Sequence, residues 1–167
     1  SFAAVWTKSG DRTCTRLLRI AQSGEYAGVA NIAHTSYLGL YPRAEVRFDD
    51  PELPIEVQLQ AYSPLIPRNV KDSSLPVAFL DYTLHNPTGA PVEAALALSW
   101  ENLLGFGGRR DVKWDSAEGN SEAPLRVGGM QGLRFSTTQS YPGMQQNTVG
   151  EYFLGVEAEG VKVTLCP

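Results

Sequence analysis

Two cysteines, Cys14 and Cys166, are all that 167 residues contain. They are too few for a disulfide scaffold and have no metal-ligand spacing. A bridge between two terminal strands is one reading, and two reduced thiols acting as small strand residues is the one favoured here. Histidine is equally scarce, with His34 and His85 alone and no HxH or HxxxH spacing, so a zinc site lacks its usual three or four ligands. No GxSxG elbow is present for a serine nucleophile. Charged residues make up only 19%, below the roughly 25% usual in soluble domains. No apolar run approaches the roughly 18 residues of a membrane helix. Asn86, followed by Pro87, is not a glycosylation acceptor. The net charge of −4 excludes a phosphate-binding face, which needs a basic surplus. Nucleic acid is therefore not an expected partner.

What is abundant is turn chemistry. The 16 glycines and 11 prolines exceed the usual share of about 12%, which speaks against a helical bundle. Period-two alternation dominates. Ile55, Val57, Leu59 and Ala61 fall on one face of a strand, with Glu56, Gln58 and Gln60 on the other. Runs from Val77 to His85 and from Val92 to Trp100, joined by Asn86-Pro87-Thr88-Gly89, read as a β-hairpin. Further strands are expected at Ala3–Thr7, Thr13–Ile20, Gly28–Ala33, Ala44–Phe48, Leu133–Thr138, Tyr152–Ala158 and Lys162–Cys166. The whole reads as one all-β domain over residues 1–167, an antiparallel β-sandwich. A Gly-rich, polar stretch near 105–132 reads as a long loop.

Few residues invite a chemical role. Asp49, Asp50 and Glu52 surround Pro51 as in a solvated turn, and Asp115 and Glu118 sit in the long loop. Glu101 ends a strand at the rim, where a general acid could work. Gly105-Phe106-Gly107-Gly108-Arg109-Arg110 fails the GxGxxG pattern, because Arg110 occupies the last glycine position. Trp6 and Trp100 read as core residues on strand faces. Trp114, in the loop, is the one candidate platform for stacking on a sugar ring. The residues alone thus describe an acidic sandwich with no catalytic centre and no cofactor.

An ordered set of segments is more specific. Tyr41-Pro42-Arg43-Ala44 precedes Ala61-Tyr62-Ser63-Pro64-Leu65-Ile66-Pro67 and Lys71-Asp72-Ser73-Ser74-Leu75-Pro76-Val77. Asn86 in a turn, Leu98-Ser99-Trp100-Glu101-Asn102 and Gly105 follow. This order resembles the N-terminal β-sandwich domain of glycoside hydrolase family 116, the family of non-lysosomal glucosylceramidases (bile acid β-glucosidases) and microbial β-glucosidases. The resemblance is densest from Gly39 to Gly108 and weaker out to Cys166. It implies a non-catalytic domain that supports a separate (α/α)6 catalytic barrel of the same polypeptide. That barrel would carry both catalytic carboxylates and act on glucosides or glucosylceramide.

The start at Ser1 inside a strand and the stop at Pro167 then read as those of a piece of a larger N-terminal domain. Pro64, Pro67 and Pro76 are expected to stiffen a loop whose Asp72-Ser73-Ser74 satisfies its backbone locally. Arg68, Asp72, Ser73, Ser74, Glu101 and Asn102 are the expected contacts with the barrel. The rival reading is a free-standing carbohydrate- or protein-binding module. A soluble protein is expected, with the cytoplasm favoured over secretion.

Overall fold

The computed structural model describes residues 1–19, 28–104, 119–138 and 150–167. These divide into two compact units, Ser1–Trp100 and Glu101–Pro167. In the first unit, β1 (Phe2–Ser9), β2 (Arg12–Leu17) and β7 (Glu93–Ser99) form a sheet ordered β2-β1-β7. Strands β3 (His34–Leu40), β4 (Arg43–Asp49), β5 (Glu56–Tyr62) and β6 (Phe79–His85) form a second sheet in sequence order. All these pairings are antiparallel. A four-residue helix, α1 (Val70–Ser73), lies in the β5–β6 connection.

The two sheets share one core, which makes this unit a β-sandwich. Val5 of β1 is fully buried and packs in one cluster with Phe48 of β4 and Val57 of β5, closed by Leu18, Ile32, Leu53 and Ile55. Period two produces this directly. Val57 and Leu59 of β5 turn inward, while Glu56 and its like-facing neighbours turn out. Each large apolar side chain so buried contributes about 1.5–3 kcal/mol. Thr7 is also buried, and its hydroxyl donates to the Cys14 carbonyl at 3.4 Å. Both cysteines are free thiols, and burial pushes the Cys14 thiol up from its ordinary pKa.

In the second unit, β8 (Asn120–Val127), β9 (Met130–Thr137) and β10 (Glu151–Val156) form an antiparallel sheet ordered β10-β9-β8. Phe135 of β9 is buried and stacks on Tyr152 of β10 at 4.6 Å between ring centroids. Gly128, with φ +57°, makes the tight β8–β9 turn.

The all-β expectation holds, but several details are corrected. Val77–His85 and Val92–Trp100 do not form a hairpin: β6 pairs with β5 and β7 with β1. Their connection is an arch between sheets. Asn86 shapes it, accepting from Thr88 N at 3.0 Å and donating to the Ala90 carbonyl at 2.9 Å. Gly28–Ala33 forms no strand but holds isolated bridge residues, among them Asn31, which pairs with Leu17, and Lys162–Cys166 joins no sheet.

The expected long loop at 105–132 is corrected at its C-terminal end, where β8 and the start of β9 form a hairpin. Strand β8 is an edge strand with mostly exposed side chains and a proline, Pro124. Without a buried face it has no alternation to read. Strand β3 (His34–Leu40), also an edge among the described strands, is absent from the expected strands for the same reason. Residues 105–118 of that expected loop lie outside the described residues.

Gly132 offers a test of the second sheet. A Cβ there would overlap the Leu154 carbonyl and Gly155 Cα on the paired strand. Gly132→Ala is expected to destabilise the unit by about 1–3 kcal/mol. Hydrogen exchange should show β9 and β10 losing protection while β1 and β5 keep theirs.

Candidate functional site

The most organised surface feature is the β5–β6 connection, residues 63–78. Its two ends are held together by Tyr62 and Phe79, which are directly paired and stacked at 5.0 Å. Pro64 and Pro67 restrict the entry. Arg68 then adopts a left-handed backbone with φ +66°. Asn69 caps α1, its side chain accepting from Asp72 N at 3.1 Å and donating to the Asp72 carboxylate at 2.6 Å. The Ser73 hydroxyl accepts from Ile66 N at 2.9 Å and donates to the Ile66 carbonyl at 3.1 Å. Ser74 donates to the Lys71 carbonyl at 3.1 Å.

Asp72, Ser73 and Ser74 therefore hold the loop's own shape. While Asn69, Asp72, Ser73 and Ser74 bond within the loop, it presents Leu65, Ile66, Val70, Leu75 and Val77 to solvent, Val70 at 79% exposure. Arg68 is exposed as well.

Glu101 and Asn102 lie in the second unit, where their backbone and amide groups organise the sheet end. The Glu101 carbonyl accepts from the Tyr152 hydroxyl at 2.8 Å. Asn102 Nδ2 donates to the Ser136 carbonyl at 3.2 Å and to Glu122 Oε1 at 2.9 Å, while its Oδ1 accepts from Leu104 N at 3.2 Å. Asn120, unsuspected from the sequence, donates to the carbonyl of Leu104 at 3.2 Å. Trp114 lies outside the described residues, as do Arg109, Arg110, Asp115 and Glu118.

Two sequence expectations fail here. Trp100 is not a core residue but 46% exposed, standing just past the end of β7. Asp50 is not part of a solvated turn: its side chain is 4% exposed and bonded to Arg16 Nε at 2.8 Å. The same guanidinium also meets Glu52. Asp50 further accepts from the backbone N of Glu52 at 2.9 Å and of Ala33 at 3.2 Å.

A shallow depression of about 390 Å³ is lined by His34, Phe48, Asp49, Asp50, Pro54 and Pro87 among others. His85 pairs with Glu56 at 3.2 Å, both exposed. Among the described residues no group of three or more His, Cys, Asp or Glu is arranged to hold a metal.

The first unit is thus a β-sandwich that carries a self-bonded loop with exposed aliphatic side chains. The family model described as beta-glucosidase 2, glycosyl-hydrolase family 116 N-term matches residues 1–167. The chain belongs to that family, as an N-terminal domain of its enzymes.

The Asp50 site yields a pH prediction. Burial by itself would raise the Asp50 carboxyl, but bonds from Glu52 N, the Arg16 guanidinium and Ala33 N hold it below the ordinary range. A carboxyl depressed in the folded state contributes stability above its unfolded pKa of about 3.9 and loses it as pH falls through the depressed value. Asp50→Ala is expected to cost about 1.5–3 kcal/mol at pH 7. In urea titrations the gap from the unmodified chain should narrow steadily once pH drops below about 4.

Proposed function

We propose that this chain is the non-catalytic sandwich portion of a retaining β-glucosidase of the glucosylceramidase type. Its two units are parts of one N-terminal domain. It supports and frames a separate (α/α)6 catalytic domain of the same polypeptide. The hydrolysis of glucosides or glucosylceramide uses two carboxylates of that catalytic domain, one as nucleophile and one as acid/base. The observation that carries this reading is the family match over all 167 residues. The self-bonded loop at 63–78, with its apolar side chains turned out, supports it as a surface suited to a neighbouring domain.

The polypeptide that contains this chain is expected to hydrolyse p-nitrophenyl β-glucoside and to release β-glucose first, as seen by proton NMR. Release of α-glucose, or no turnover, would overturn the retaining-glucosidase reading. Deleting residues 1–167 from that polypeptide should lower kcat/KM at least about tenfold, roughly 1.4 kcal/mol of lost transition-state stabilisation. An unchanged kcat/KM after the deletion would remove the framing role.

A further inference from the structure

The loop at 63–78 inverts the ordinary surface rule. Its hydroxyl, amide and carboxylate groups bond to one another and to its own backbone, while its aliphatic groups face water. Aliphatic surface on a rigid frame loses little conformational entropy when it is covered, the condition that favours tight association.

Arg68 stands between Ile66 and Val70 on this frame. Its backbone lies in the left-handed region, which glycine occupies without strain and arginine does not. Among the described residues its guanidinium has neither an ion-pair nor a hydrogen-bond partner. Asp72, the nearest carboxylate in sequence, is already engaged by Asn69. The other charged side chain of the loop, Lys71, is cationic as well. An arginine flanked in sequence by exposed aliphatic residues, held on a left-handed backbone and left without a local anion, has the composition of an interface anchor.

We propose that Arg68 is the anchor of the contact with the catalytic domain. Its guanidinium pairs with a carboxylate of that domain, and Leu65, Ile66 and Val70 exclude water from the pair. Planar two-point pairing with a carboxylate is what arginine supplies and lysine does only in part. This inference rests on the function proposed above, because the occupant it commits to is the catalytic domain of the same polypeptide.

The test uses that whole polypeptide and replaces Arg68 by Gly, Lys or Glu. Glycine relieves the backbone and deletes the cation, so it separates the two roles that one residue could have. Arg68→Gly and Arg68→Glu are expected to shorten the half-life of thermal inactivation about tenfold, the factor that one charged hydrogen bond supplies. Arg68→Lys should shorten it less. If Arg68→Gly is as durable as the unmodified enzyme or more so, arginine served only the loop and the proposal is wrong.

A photo-crosslinking benzoylphenylalanine placed at Leu65 gives a second readout. The adduct is expected on a catalytic-domain peptide. Adducts confined to residues 1–167 or formed with a second molecule, or no adduct, overturn the proposal. An unmodified polypeptide without β-glucosidase activity defeats the function proposed above instead. The half-lives, followed then by loss of folded signal, and the adducts still report on Arg68.

Discussion

One carboxylate holds the first unit together at its open end. Asp50 receives the guanidinium of Arg16 from β2, the backbone N–H of Ala33 just before β3, and the N–H of Glu52 in the β4–β5 turn. Three segments from two facing sheets thus converge on a side chain that is almost completely buried. The hydrophobic cluster around Val5, Phe48 and Val57 is non-directional and would accept many small shifts of one sheet over the other. The charged hydrogen bonds are short and directional, so they select one alignment. The end of β4 and the turn that leads into β5 are fixed at this point.

The same logic explains what the sequence could and could not disclose. Strand β5 was legible because one face is core and the other water, and Ile55 to Ala61 alternate accordingly. Edge strands β3 and β8 were not, since neither face is consistently buried and alternation has nothing to report. Strands β6 and β7 form no hairpin despite the turn between them, because a turn signal specifies a change of direction, not which neighbour the next strand will choose. The choice was made by β1, whose Val5 sits opposite Leu96 in a shared register. The burial of Asp50 leaves no local sequence signal, because its partner Arg16 lies 34 residues away.

The loop at 63–78 was partly legible. Its prolines and its Asp72-Ser73-Ser74 run announced a stiff, self-satisfied connection, and Ser73 and Ser74 bond as such residues do. The left-handed backbone at Arg68 carried no sequence signal, because arginine is not a residue that marks that conformation. Asn102 also fixes its own sheet end through Ser136, Glu122 and Leu104, partners that lie up to 34 residues away and leave no local pattern.

The pairing of β1 with β7 also sets an order of events in synthesis. Strand β1 is the middle strand of its sheet, yet one of its two partners, Glu93–Ser99, lies at the far end of the unit. Sheet β3–β6 can assemble by successive neighbours as it emerges from the ribosome. The β2-β1-β7 sheet must wait, with one edge of β1 open, until Ser99 has cleared the exit tunnel. Non-local closure of this kind is slow and leaves a strand edge unpaired meanwhile. The vulnerable period of this unit's life is therefore the interval between the emergence of β2 and the emergence of β7 from the exit tunnel.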